Sequence, residues 1–380
     1  MVPRPARSTL FPDTTLFRSL QKVDPRRREE VQRFVQLPYR LYKGHPQWVP
    51  PLMQDIRMML NRDSHPFYEH SDADFFIATR DGRDVGRIAA LENRPFNAYH
   101  STRQAQFYLF DCEDDPEAAE ALFERVFDWA RHRGADTVVG PKGFGPLDGY
   151  GILVEGHDHR QMMTMMNYNY AYYPRLVEGL GFEKEVDFVS CYLDAQTFHL
   201  PERIRRVTER VKQRGTLGVK EFTSKRELKT WAGKIAKAYN QAFVANWEYY
   251  PLTEHEVAYV VKNIIDVADP RLIKFITHED EIAGFLFGFP DISAALQRAQ
   301  GRMTPWTLID LVREMRRTDW IAINGAGILP EFHGIGGNTL LYAEMEQTLQ
   351  AYGFKHADLT QVAETATQMR SDLANVGGQA

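Results

Sequence analysis

The chain has two cysteines, Cys112 and Cys191, in 380 residues. One pair cannot build a disulfide framework, and neither cysteine sits in a CxxC spacing that would hold a metal; a reducing compartment suits such a chain. No apolar run approaches the ~20 residues of a membrane-spanning helix, and candidates such as 282–289 have the length of a strand. Basic charge is not in excess either. Lys and Arg number 46 against 51 Asp and Glu, a formal net charge of -5, which argues against general affinity for nucleic acid or anionic membrane. The one basic run, Arg26-Arg27-Arg28, is too short to alter that and reads as decoration of a helix start. A basic, apolar, small-residue signal is absent from the start. His157 and His159 lack a third ligand at useful spacing, so no metal is expected. These absences predict a cytoplasmic protein with neither nucleic acid nor membrane as partner.

What is present is a globular composition, 43% hydrophobic and 26% charged, in a chain too long for one ordinary core. Two domains are expected, over 20–198 and 199–380. Leu10–Ser19 reads LFPDTTLFRS, the translation of a common sequencing-adapter oligonucleotide with one residue changed, so 1–19 is set aside as a non-native or disordered leader. Gly44-His45-Pro46-Gln47-Trp48-Val49-Pro50-Pro51-Leu52 reads as an extended strap across a domain surface.

Strands follow at 75–78 and 85–90 around an Asp81-Gly82 turn, then at 106–110. An amphipathic helix over 116–133 is capped by Asp115, with Pro116 at its first position. A strand at 137–140, a helix near 172–180 and a closing strand at 184–193 complete the first half. The order then repeats: helix 201–212, strand 217–222, helices 226–245 and 254–267, and strands 272–277 and 282–289 around Glu279-Asp280. A helical insertion at 294–317, strand 320–328, helix 338–352, strand 357–362 and helix 365–376 follow. Repetition of element order argues for duplication.

The sharpest motif joins strand 320–328 to helix 338–352. It reads Gly327-Ile328-Leu329-Pro330-Glu331-Phe332-His333-Gly334-Ile335-Gly336-Gly337-Asn338. Glycines let successive N–H groups turn toward one point, and a helix N-terminus adds donors and a positive dipole end. That combination suits a pyrophosphate. No Gly-Lys-Ser/Thr ending makes it a P-loop, and no repeated parallel crossovers make it a dinucleotide fingerprint.

The segment resembles the acyl-CoA loop of the GCN5-related N-acetyltransferase (GNAT) family, whose Arg/Gln-x-x-Gly-x-Gly/Ala pattern falls here on His333, Gly336 and Asn338. Asn169…Tyr172-Tyr173…Gly179-Leu180-Gly181-Phe182 is similar to the family's fourth-helix motif. Leu-Pro-Tyr and Trp-Val-Pro-Pro-Leu in the opening resemble a tandem subgroup. The resemblance implies an α+β fold: two tandem copies of a mixed, mostly antiparallel sheet flanked by helices and splayed where the acyl thioester enters. It implies acetyl-CoA or another acyl-CoA as co-substrate, held by Ile328, Leu329, His333, Gly334, Ile335, Gly336, Gly337 and Asn338, and a small amine or amino acid as acceptor.

Three features depart from the family pattern. The first half has Cys112-Glu113-Asp114-Asp115-Pro116 at the matching junction, too acidic for a pyrophosphate, so the coenzyme is expected in the second half only. The family fold finishes with two more strands after helix 365–376, so the second domain is expected to be truncated with an exposed sheet edge. Leu373 stands where the family often has an acidic tyrosine.

For the base, Glu331, His333 and Asp291 are candidates, although Asp291 after Pro290 also reads as a turn residue and Glu331 as a solvated one. Asn246, Trp247 and Tyr250 are candidates for acceptor contact, with Thr253 and Glu256 forming a capping box beside them. The Met-rich run at 162–170 reads as an interface plug or as a greasy channel wall. Alternatives to N-acyltransfer are a catalytically silent coenzyme-binding sensor and a tRNA-dependent aminoacyl transferase.

Overall fold

The structure, a computed structural model, describes residues 19–145, 148–162, 166–242, 244 and 249–375. The first sheet contains β1 (Ser19–Lys22), β2 (Asp72–Arg80), β3 (Arg83–Glu92), β4 (Gln104–Cys112) and β5 (Thr137–Val139), side by side in that order. Its helices are α1 (Arg28–Leu41), α2 (Met53–Leu60), α3 (Arg94–His100), α4 (Pro116–His132) and α5 (Tyr173–Glu178).

The second sheet runs β6 (Phe188–Asp194), β11 (His356–Ala363), β10 (Trp320–Ile328), β9 (Glu281–Pro290), β8 (Ile273–His278), β7 (Gly218–Lys220). Around it lie α6 (Glu202–Arg214), α7 (Lys225–Thr230), α8 (Ala232–Ala242), α9 (Glu254–Val267), α10 (Ser293–Ala299), α11 (Pro305–Arg317), α12 (Gly337–Tyr352) and α13 (Thr367–Asn375).

Strand alternation explains how each sheet is covered on both faces. On β2, Phe75 and Ile77 pack with α1 and α2, whereas Phe76 and Ala78 pack with α4. The two hairpin turns carry the positive φ values that Asp81-Gly82 and Glu279-Asp280 imply: 51° and 76° in the first, 47° and 68° in the second. Asp115 caps α4 by accepting from Ala118 N at 3.1 Å, and Thr253 with Glu256 forms the full capping box of α9.

Three local expectations change. Ser19–Lys22, at the boundary of the excluded leader, is a strand on β2. The single helix expected over 226–245 is two, α7 and α8, separated at Trp231, whose ring packs on Phe275.

The third change decides the architecture. The strand expected to close the first half, β6, instead pairs antiparallel with β11, from His356↔Asp194 to Ala363↔Phe188. The two halves are therefore interlocked by a strand given by one sheet to the other. The edge of β11 expected to be exposed is covered, and β6 is the outer strand.

Candidate active site in the second sheet

Parallel β10 and β11 pair only over Trp320–Ile323 with His356–Leu359. Beyond that point they part. β10 has an irregularity against β9 between Ile323 and Ala326, where Gly325 takes φ 103°. β11 has one against β6 between Leu359 and Val362, with Gln361 at φ 58°. Bulges bend and twist the strands that carry them. The backbone of β10 after Ile323 thus faces a gap inside a continuous sheet, where an extended ligand could pair as a strand would.

At the open end of that gap, β10 passes through Leu329 and a one-turn helix at Pro330–Phe332 into the glycine loop. Gly334 and Gly336 take φ 76° and 90°, conformations that disfavour any residue with a Cβ. The first N–H groups of α12 have no intrahelical acceptor. Among the described residues, none accepts from the N–H of Gly334, Ile335, Gly336 or Gly337.

The other expected carrier residues are committed to the scaffold. Leu329 is buried and donates its N–H to Ala283 O at 2.9 Å. Ile328 O bonds with His333 Nε2 at 2.8 Å, so His333 ties the loop to the strand end. Asn338 donates from Nδ2 to Asp372 at 3.0 Å and accepts from Thr339 N at 3.0 Å. Glu331 is exposed on the one-turn helix.

Helix α6 crosses the start of α12, with Thr208 Oγ1 donating to Thr339 O at 3.2 Å. A Cβ on Gly336 would stand 2.7 Å from Val211 of α6, so this glycine is there for helix packing as much as for anion access. Arg203, Arg210 and Arg214 of α6 are exposed and form no ion pair among the described residues. They supply positive charge beside the loop, and only the helix crossing identifies them.

On β11, Ala357 and Leu359 point toward α6 and α12, so Asp358 and Thr360 point to the opposite side. There, Asp358 Oδ1 and Thr360 Oγ1 are shielded from solvent without a hydrogen-bond partner among the described residues, as is Gln361 Nε2. Burial pushes the Asp358 carboxyl up to about 6, the negative charge of Asp291 adds to this, and His159 opposes it. Asp358 was not among the expected residues. Its only signal is that it is the one carboxylate in β11.

Asp291 is buried rather than exposed in a turn, but its carboxylate is occupied. Arg160 forms an ion pair with it, and Ser293 N donates to it at 2.9 Å. Both His159 and Arg160 belong to the first half, reaching over the second sheet. Met162 and Met166 of the same segment pack in the apolar cluster of β8, β9, α8 and α9, as an interface plug would. Met163 to Met165 lie outside the described residues.

Tyr250 is buried, with its ring 6.1 Å from that of Phe96, placing it in the packing between the halves. Asn246 and Trp247 lie outside the described residues. Leu373, too, is buried. An apolar groove of about 610 Å³ opens between α8 and α9, walled by Ala236, Leu252, Val257 and Val261 and edged by Lys229, Lys237 and Lys262.

No family model matches the sequence. The protein named Bacterial ceramide synthase from Caulobacter vibrioides (strain NA1000 / CB15N) is 28% identical over 359 residues, 92% of each chain. Protein YghO from Escherichia coli (strain K12) is 22% identical over 361 residues, 93% of this chain and 90% of that one. Among solved structures, a tandem GNAT protein from the clavulanic acid biosynthesis pathway aligns with a TM-score of 0.51 at 13% identity, over 95% of this chain and 94% of that chain. This chain has the tandem GNAT fold. A GCN5-related glucosamine N-acetyltransferase region of a fungal multi-domain β-N-acetylglucosaminidase also aligns at a TM-score of 0.51 and 11% identity, over 95% of this chain and 37% of that one.

The tandem GNAT fold lets the two copies be compared site by site. In the first, β4 and β5 also run parallel and pair only over Gln104–Gln106 with Thr137–Val139. Here the matching positions are filled from within. Tyr172 Oη donates to Cys112 O at 2.7 Å, and Tyr173 Oη accepts from Cys112 N at 3.0 Å and from Tyr42 Oη at 3.0 Å. The acidic junction is neutralised by side chains: Arg80 on Asp115, Arg83 and Arg40 on Glu113, and Arg175 on Asp114.

Tyr173→Phe should cost about 1–3 kcal/mol of stability, because it leaves buried Cys112 N–H and Tyr42 O–H groups unpaired. An unchanged urea midpoint would remove this cluster from the account of the first copy.

Proposed function

We propose that the second copy of this tandem GNAT fold is an acyl-CoA-dependent N-acyltransferase whose acceptor is a long-chain amine. The observation that carries the reading is one opening, between β10 and β11, with free N–H groups at its mouth and, on β11 just before the strands part, a carboxyl whose Oδ1 has no partner among the described residues. The pantetheine arm of the co-substrate would lie along β10 after Ile323. Gly334 to Gly337 would hold the pyrophosphate, with Arg203, Arg210 and Arg214 of α6 beside the remaining phosphate.

In the reaction, the amine nitrogen bonds to the thioester carbonyl carbon and the carbon–sulfur bond breaks. Asp358 takes the proton lost by the nitrogen, the coenzyme departs as a thiolate, and the proton passes from Asp358 through solvent to that sulfur, giving the thiol and restoring the carboxylate. A carboxyl raised to about 6 is ionised at neutral pH yet more basic than an ordinary aspartate, which suits it to that role. Asp291, held by Arg160 and Ser293, keeps negative charge next to it.

The small or amino-acid acceptor implied by family resemblance gives way to a long-chain amine for two reasons. Ceramide is the amide of a fatty acid with a long-chain amino alcohol, and a protein of that name aligns with 92% of this chain. The groove between α8 and α9 is apolar, with cations only on its edge, and is large enough for a ligand of that kind.

One observation favours a second reading, a coenzyme-binding protein without turnover: the position of the family's tyrosine acid is buried Leu373. A single assay separates the two. Thiol release from palmitoyl-CoA should appear on adding a long-chain amino alcohol and be much weaker with glycine or a short amine. Calorimetric binding of palmitoyl-CoA without thiol release for any amine would favour the silent protein. No binding would remove both.

A further inference from the structure

Between β9 and β10 the chain inserts α10 and α11, whose inward side is fully used. Ala295, Leu296 and Leu311 pack on Val49, with Leu52 beside them. Gln297 Nε2 donates to Pro46 O at 2.7 Å and to Trp48 O at 3.0 Å, fastening the pair to the extended strap. Thr304 caps α11 by accepting from Thr307 N at 3.1 Å. These contacts account for one apolar stripe, which is all that a surface helix of a soluble protein normally has.

The outward side of α11 is apolar as well. Met303, Trp306, Leu308, Ile309 and Val312 are 40%, 78%, 58%, 40% and 42% exposed. They are five of the eleven large hydrophobic side chains exposed among the described residues, gathered within ten consecutive positions. An exposed group of this kind marks an interaction surface, and a tryptophan exposed to this degree is costly in water.

Charge indicates what covers it. Asp310 and Glu314 are drawn to Arg298 and Asp319 to Lys355, which neutralises the acids of the segment. Arg302, Arg313, Arg316 and Arg317 are exposed and form no ion pair among the described residues. Four of the apolar side chains lie at 306–312 of the helix, and Arg313, Arg316 and Arg317 follow toward its C-terminal end. Apolar side chains with flanking cations are the chemistry of a helix lying at an anionic lipid interface: the tryptophan enters the headgroup boundary and the guanidinium groups reach phosphates.

We propose that the outer face of α11 docks the protein onto an anionic phospholipid bilayer. This goes beyond the acyl-transfer reading and runs against the expectation that the net charge of -5 excludes a membrane partner. A sum over the whole chain conceals a basic, apolar face confined to one helix. A docked enzyme would meet long-chain substrates where they reside.

The test is co-sedimentation of the full chain with vesicles of phosphatidylglycerol and phosphatidylcholine mixed equally, against vesicles of phosphatidylcholine alone. Binding should be at least tenfold stronger to the anionic vesicles and fall with salt. Trp306→Ser combined with Leu308→Ser and Ile309→Ser should lose at least tenfold in partitioning with an unchanged melting temperature, since all three side chains are exposed. Arg313→Ser with Arg316→Ser and Arg317→Ser should abolish the preference for anionic vesicles. Failure of the native chain to sediment, or a triple apolar variant that binds as the native chain does, would overturn the proposal. So would a native dimer that the apolar variant converts to monomer, since a second copy would then be the occupant. No acyl-CoA enters the test, so this inference and the acyl-transfer reading can fail separately.

Discussion

Asp358→Asn should lower kcat/KM for amide formation by about 10²–10⁴-fold, the range over which a positioned base contributes, and should make the protein more stable. The two effects have one cause. The carboxyl is partly buried with Oδ1 unpaired, and burial raises it from 3.8 to about 6. Between those values the folded protein holds a proton that the unfolded chain has released. Stability therefore falls as pH rises through this window and remains lower above it. The ionised carboxylate should cost about 1–3 kcal/mol at neutral pH, and the neutral amide removes that cost.

If the acyl-transfer proposal holds, the native protein should show kcat/KM falling tenfold per pH unit below about 6, and the variant should show a flat profile at a low level. Thermal melts at pH 4 and pH 8 supply the second readout: the variant's advantage should be present at pH 8 and small at pH 4. A variant that keeps activity, or one destabilised at pH 8, would remove Asp358 from the site.

Gly334→Asp should lower affinity for coenzyme A by tenfold or more, about 1.4 kcal/mol or above, while Gly334→Asn remains within about threefold of the native chain. Position 334 is the informative one because a Cβ there meets nothing within 4 Å, so either side chain fits. Asparagine and aspartate tolerate φ near 76° about equally well. The comparison thus isolates a negative charge beside the N–H groups of Gly334 to Gly337. Equal loss in both variants would point to backbone strain rather than phosphate binding. Gly336→Glu, the change suggested by the motif alone, is a poorer test, since its Cβ would meet Val211 at 2.7 Å and disturb the packing of α6. Calorimetric titration with coenzyme A reads all three.

Much of this protein is determined locally. Asp81-Gly82 and Glu279-Asp280 specify hairpins because their residues accept positive φ, and Asp115-Pro116 and Thr253…Glu256 specify helix starts because they satisfy orphaned N–H groups. Strand alternation sorted Phe75 from Phe76 onto opposite faces. Glycines between a strand and a helix marked the loop at 334–337 for the same reason: their meaning lies in backbone geometry within a few residues.

What tertiary structure alone decided are relations between distant segments. The pairing of β6 with β11 links residues more than 160 positions apart, and nothing in 188–194 states which sheet will accept it. Asp291 read as a turn residue because its sequence neighbours are turn-like; Arg160, from the other half, makes it a buried ion pair. Asp358 acquires its raised protonation from burial, and from the negative charge of Asp291 after β9, against the opposing effect of His159 from the first half. The arginines of α6 reach the glycine loop only because α6 crosses α12. Backbone preference is a property of a few neighbouring residues, whereas desolvation and electrostatic pairing belong to whatever the fold brings alongside.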